Sequence, residues 1–175
     1  MGLVNYEFKA SVKDLESLEK KLLELQPVFS GEDHQIDTYF NVATGRLKLR
    51  EGNIENTLIY YERPDTAKAK QSDIILIECR DKKGLKEILA RVNGIKTIVD
   101  KMRRIYFIEN VKFHFDTVAG LGRFIEVEAI DEKGNIGVET LKEQCKHYFS
   151  FFDLKESDYI SKSYSDLLLE KQNKY

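Results

Sequence analysis

A chain of 175 residues, 42% hydrophobic and 33% charged, can bury one sizeable core, and we read residues 1–175 as a single domain. Its 28 Lys and Arg against 30 Asp and Glu leave a formal charge of −2, which argues against a protein built to coat nucleic acid. No run approaches the roughly 20 apolar residues of a membrane helix, and "MGLVNYEFKA" lacks the apolar segment of a secretory leader. "MGLVNY" opens like a myristoylation signal, but position six is Tyr6 rather than Ser or Thr. Cys79 and Cys145 have no companion ligands nearby in sequence. They read as reduced thiols of a cytoplasmic protein rather than as a disulfide or zinc site.

In chain order, the first element alternates. Val4, Tyr6, Phe8 and Ala10 take one face, and Asn5, Glu7, Lys9 and Ser11 the other, which predicts a strand. "SVKDLESLEKKLLELQ" has apolar residues at 15, 18, 22 and 25 and predicts a helix ending before Pro27. Four strand patterns follow: "HQIDTYFNV", "RLKLREG", "NTLIYYERPD" and "SDIILIECRD". "KGLKEILARVNG" predicts a short helix closed by Gly94. The long "IKTIVDKMRRIYFIEN" turns at Glu109-Asn110 into "VKFHFDTVAG", and "GRFIEVEAID" completes the strands. "NIGVETLKEQCKHYFSFF" and "KSYSDLLLEK" predict two further helices. About eight strands joined by short connections and flanked by helices give an α+β class, in which one antiparallel sheet can close into a barrel.

The charged faces of these strands carry the functional argument. Arg46, Lys48 and Arg50 share one face of "RLKLR", Lys101 and Arg103 share one in "VDKMRR", and Glu126 and Glu128 share one in "RFIEVEAI". For any one strand, a solvated outer face explains this. Repeated same-sign pairs are harder to explain that way, because like neighbours repel unless an opposite charge lies between them. Basic pairs suit a phosphate, which Arg grips with two donors. Carboxylate pairs suit a hard divalent cation such as Mg²⁺ or Mn²⁺.

Taken in order, these segments resemble the CYTH domain family, the triphosphate tunnel proteins, which include class IV adenylate cyclases and thiamine and inorganic triphosphatases. "YEFKA" is similar to the family's opening Glu-x-Glu-x-Lys strand, and "QIDTYFN" with "GRLKLRE" to its second and third. "YYERPD" is similar to the next basic strand. "VDKMRRIYFIENVKFHFDTVAGLGRFIEVEAI" is the most specific stretch, and "ISKSYSDLLLEK" resembles the C-terminal segment of the cyclase-like branch. The resemblance implies an eight-stranded antiparallel barrel, a triphosphate tunnel with flanking helices. It implies phosphate binding by Lys9, Lys48, Arg50, Arg63, Lys101, Arg103 and Lys162. It implies metal binding, Mg²⁺ or Mn²⁺, by Glu7, Glu126 and Glu128, with Asp116 holding metal or positioning a water. Those four acids form the implied catalytic set, and Glu78 is a further candidate for the lumen. The sequence departs from the family at Asn5, where the opening motif has its first Glu; a carbonyl oxygen there can still ligate but brings no charge.

Other motifs point elsewhere only weakly. His34, His114 and His147 lack a nucleophile at triad spacing. His114 shares a face with Asp116 and reads equally as a substrate contact or as a hydrogen-bonded structural residue. "GLGRF" lacks the strand-then-helix setting of a dinucleotide fingerprint. The amphipathic helices read as packing surfaces. The expected activity is metal-dependent hydrolysis of an inorganic or nucleoside triphosphate. Class IV adenylate cyclase chemistry and a non-catalytic polyphosphate- or nucleotide-binding module are the alternatives. With no Trp to stack a thiamine ring, thiamine triphosphate is the weaker substrate candidate. The expected partner is a triphosphate-containing small molecule rather than nucleic acid or a membrane, bound by a monomer or homodimer.

Overall fold

The computed structural model describes residues 3–62 and 70–173. Eight strands run β1 Leu3–Ser11, β2 Val28–Phe40, β3 Arg46–Glu51, β4 Asn56–Glu62, β5 Lys70–Glu78, β6 Ile95–Ile108, β7 Val111–Val118 and β8 Gly122–Asp131. Four helices interleave with them: α1 Leu15–Leu23, α2 Lys82–Asn93, α3 Val138–Phe151 and α4 Tyr164–Gln172. The strands close into a barrel in the order β1-β5-β4-β3-β2-β6-β7-β8, each pair antiparallel. This is the α+β barrel that the strand patterns predict. Among the described residues no helix is long and apolar enough to cross a membrane.

Local signals set the element ends. Asp14 accepts from the Ser17 amide at 3.1 Å to start α1, and Asp81 accepts from the Gly84 amide at 2.9 Å to start α2. Gly94, at φ 76°, closes α2 as its sequence position implies. The β6–β7 hairpin turns at Glu109-Asn110, with Ile108 and Val111 paired. β2 starts six residues before the alternating "HQIDTYFNV". Val28 and Phe29 already pair with Phe107 and Tyr106, and a bulge then resets the register at Gly31. Gly31 has φ 135°, a conformation side chains disfavour, so this turn in the ladder depends on glycine.

Because side chains alternate across a strand, a closed barrel sorts them into an inner and an outer set. Here the outer set is apolar. Phe8 and Ala10 of β1, Phe113 and Phe115 of β7, and Ile125 and Val127 of β8 pack beneath α1 and α3, meeting Leu15, Leu22, Leu141, Cys145, Tyr148 and Phe152. The main hydrophobic core therefore lies between the barrel wall and the helices. Phe113 is fully buried and meets Tyr148 edge-to-face, with centroids 4.7 Å apart at 87°. Phe113→Ala should cost about 3–5 kcal/mol of unfolding free energy by urea denaturation. A loss under about 1 kcal/mol would mean the core is not where this packing puts it.

Candidate functional site

The inner set is charged, and it encloses a cavity of about 780 Å³. Strand order explains how its charges are arranged. β2 lies between β3 and β6, so the inward carboxylate of Asp37 sits between Lys48 and Arg50 on one side and Lys101 on the other. Its oxygens accept from Lys48 Nζ at 3.0 Å, Arg50 Nε at 2.8 Å and Nη2 at 2.9 Å, and Lys101 Nζ at 2.7 Å. Burial works against the Asp37 charge, but Arg50, Lys101 and Lys48 together hold its carboxyl well below the usual range. Lys101 has only one anion to set against its burial and the like charges of Arg50, Arg103 and Lys48. Despite Asp37, its ammonium is drawn down to about 7.

Across the cavity lies the acidic wall of β1, β8 and β7. Lys9 faces Glu126 and Glu7 faces Glu128 across the β1–β8 ladder, while His114 faces Glu126 across β7–β8. The repulsion expected between Glu126 and Glu128 is resolved unequally. Glu126 lies 3.4 Å from Lys9 Nζ and 3.8 Å from Arg103 Nη2. These cations hold its carboxyl well below the usual range despite burial. Glu128 is pushed well above that range by burial, then by Glu126 and Glu7, so this wall retains a proton until another cation replaces it. His114 Nδ1 lies 3.6 Å from Glu126 and 3.9 Å from Glu128. Burial, then Arg103 and Lys112, lower the His114 pKa to about 3, so its imidazole is neutral.

The structure brings Glu7, Lys9, Lys48, Arg50, Lys101, Arg103, Glu126 and Glu128 to one cavity lining, with Asn5 and Glu78 also on it. Asn5 Nδ2 donates to Glu7 Oε2 at 3.2 Å, so in place of a second carboxylate it steadies the remaining one. Two expected site residues stand off the cavity lining. Asp116 is fully buried, and its two oxygens accept from Arg103 Nε at 2.7 Å and Nη2 at 2.6 Å and from the Tyr164 hydroxyl at 2.7 Å. Its acceptors are occupied in fixing Arg103, and it stands behind the cavity lining rather than on it. Lys162 is half-exposed and pairs with Glu170 of α4, away from the cavity lining. Arg63 lies outside the described residues.

Several participants escape the sequence reading. Asp37 follows the same alternation as Gln35 and Tyr39, a period-two signal that places it on the inner face of β2. Glu55 joins Arg50 Nη1 at 2.7 Å and also pairs with Lys112. It lies in the β3–β4 turn, whose amides at Asn53, Ile54 and Glu55 are held by buried Asp33. No spacing rule points to a turn residue. Tyr164 reaches inward from the first turn of α4, next to the Ser163 cap, and its ring lies under Lys9 Nζ at 4.1 Å.

Residues 3–164, which form this barrel with its basic row and paired-carboxylate wall, match the CYTH domain model. The chain belongs to the CYTH domain family. A candidate adenylate cyclase of Methanocaldococcus jannaschii is 26% identical to it, over 94% of this chain and 98% of that protein. A solved Pyrococcus horikoshii protein superposes with a TM-score of 0.82 at 27% identity, covering 93% of this chain and 98% of that one. A Hippeastrum protein of the same fold superposes at 0.63 with 12% identity, over 99% and 96%. CYTH triphosphatases and cyclases depend on a divalent metal. The donor set here suits one: ligand atoms of His114, Glu126 and Glu128 lie within 4.8 Å of one another.

Asp37 tests whether the CYTH lumen is organised as described. Asp37→Asn leaves three buried cations sharing no carboxylate and should lose roughly 3–5 kcal/mol of stability. Part of that loss should return in sulfate or phosphate buffer, because an anion that binds the native state stabilises it. Equal melting temperatures for variant and parent in chloride would contradict the three-way pairing.

Proposed function

We propose that this protein hydrolyses a triphosphate inside its barrel with the help of a divalent ion. The observation that carries the reading is that Lys48, Arg50, Lys101 and Arg103 line one cavity together with Glu7, Glu126 and Glu128. A chain of phosphates is the ligand whose charge satisfies the first set. Glu7, Glu126 and Glu128 would hold a divalent cation, which would offset part of the phosphate charge. The Hippeastrum neighbour, named an adenylyl cyclase, is described as having a dominant triphosphatase activity, which supports the fold's capacity for this chemistry.

The residues divide the work as follows. A polyphosphate draws Lys48, Arg50 and Lys101 toward itself and away from Asp37, which holds them in place until it binds. Arg103, clamped by Asp116, presents a fixed guanidinium to the developing phosphoryl charge. Glu126 and Glu128, with His114 beside them, would hold the divalent ion, which would offset phosphoryl charge as a Lewis acid. Glu7 shares the wall but stands outside the tightest three-residue group. It orients the attacking water, whose oxygen bonds to the terminal phosphorus as the bond to the departing diphosphate breaks, and the carboxylate takes its proton. In the cyclase reading, the ribose 3′-hydroxyl of ATP attacks the α-phosphorus instead, and pyrophosphate leaves as the bond between the α-phosphorus and the bridging oxygen breaks. The name of the Methanocaldococcus relative favours that version, as do Ile54, Phe107 and Ile130 on the lining, apolar surfaces that suit a base.

The test is a panel of tripolyphosphate, ATP and thiamine triphosphate with Mg²⁺ or Mn²⁺, following phosphate and cyclic AMP together. Phosphate release is expected; cyclic AMP in its place selects the cyclase, and no turnover with any substrate overturns both. Glu126→Gln should lower kcat at least 100-fold while leaving metal-free tripolyphosphate affinity within about threefold. Equal turnover would move the chemistry elsewhere.

Lys101 provides a second check. A bound polyphosphate restores its proton, so at pH 8 binding should take up more protons in the parent than in Lys101→Met. Calorimetry in two buffers of different ionisation heat measures the difference. The sign follows from a group at about 7 being mostly neutral above that pH until an anion raises its affinity for the proton. No difference between the two proteins would remove Lys101 from the phosphate path.

A further inference from the structure

We propose that His114 ligates the divalent ion alongside Glu126 and Glu128. That would make this a mixed nitrogen–oxygen site which selects a first-row transition ion such as Mn²⁺ over Mg²⁺. The inference rests on reading the acidic wall as the metal site, though not on what reaction follows there.

His114 is 1% exposed, yet neither ring nitrogen has a hydrogen-bond partner among the described residues. Buried imidazoles are rarely left so, and an orphaned one asks for a missing partner. Its neighbours explain the gap. Across the β6–β7 ladder its register partner is Ile105, which offers nothing polar from the side chain. Across β7–β8 it faces Glu126, but 3.6 Å to Glu126 and 3.9 Å to Glu128 are too long for hydrogen bonds. A metal ligand would stand back at about this distance, because the ion fills the space between. Ligands on opposite sides of one ion with bonds of about 2.1–2.2 Å are some 4.3 Å apart. The observed spread of up to 4.8 Å therefore needs only about half an ångström of adjustment.

The three donors also sit on rigid elements. His114 is on β7, and Glu126 and Glu128 are successive inward residues of β8, so the pleat fixes their order. Lys112, the next inward residue of β7, faces Glu128 but is paired with Glu55, which keeps its ammonium engaged elsewhere. Imidazole nitrogen is a better donor to transition ions than to Mg²⁺, which prefers oxygen alone. With Asn5 in place of a carboxylate on the neighbouring strand, a nitrogen donor from β7 also restores a strong ligand that β1 does not supply.

The experiment uses the full chain with Mn²⁺ alone and no triphosphate, so an inactive protein can still return a positive result. Pulsed electron paramagnetic resonance of one equivalent of bound Mn²⁺ should show ¹⁴N modulation from a directly bound imidazole, changing to the ¹⁵N pattern when histidine is labelled. The modulation should vanish in His114→Asn, which leaves His34 and His147 in place. In parallel titrations His114→Asn should weaken Mn²⁺ at least tenfold and Mg²⁺ less than threefold. Bound Mn²⁺ without nitrogen modulation in the parent protein overturns the inference, and that measurement requires no variant to fold. An unchanged Mn²⁺-to-Mg²⁺ preference in His114→Asn overturns it too. If Mn²⁺ does not bind, or binds equally after Glu126→Gln with Glu128→Gln, the acidic wall is not a metal site and both readings fall together. Nitrogen-ligated Mn²⁺ with no turnover on any substrate would instead keep this inference and remove the hydrolase.

Discussion

Asp37 is one carboxylate shared by three cations, and much of the lumen follows from that ratio. Three ammonium and guanidinium groups cannot be buried together unmatched, and a full complement of acids would leave them no affinity for an incoming anion. One acid shared by all three, with Glu55 reaching only Arg50, keeps the row folded, ordered and electron-poor. The opposite wall shows the mirror arrangement, with Glu126 matched by Lys9 and Arg103 and Glu128 left to hold a proton. Each wall is therefore short of the charge that a metal-bound polyphosphate carries.

The closed barrel makes this arrangement possible by separating two tasks that small proteins often mix. Phe8, Phe113, Phe115, Ile125 and Val127 face outward and build the core with α1 and α3. Their strand neighbours Lys9, His114, Glu126 and Glu128 face inward. The period-two geometry of a strand keeps the two sets apart along the whole wall. A substitution in the lumen therefore disturbs charge balance without opening a hole in the apolar core.

The strand alternation made most of this legible in advance. Glu7, Lys9, Lys48, Arg50, Lys101, Arg103, Glu126 and Glu128 each sit opposite an apolar neighbour in a recognisable strand, and all eight line the cavity. What escaped depended on partners distant in sequence. Asp116 carries a catalytic-looking spacing, but register with Arg103 and the approach of Tyr164 occupy its oxygens. Lys162 is two residues from the cavity-lining Tyr164, yet α4 gives it Glu170 as a partner. Asp33 and Glu55 act through the conformation of a turn, which no periodicity encodes. The early start of β2 shows the same limit: Val28 and Phe29 are extended because β6 is there to pair with them.

The seam of the barrel has a consequence for how the chain is made. β1 pairs with β5 and β8 and with neither of its near neighbours in sequence, and β8 begins at Gly122. At translation rates of about 5–20 residues per second, β1 waits several seconds for β5 and longer still for β8. Tyr164, which secures Asp116 and so Arg103, arrives later again. The charged lumen is thus finished last, and a nascent chain stalled before α4 would carry the wall of the tunnel without a fully fixed Arg103.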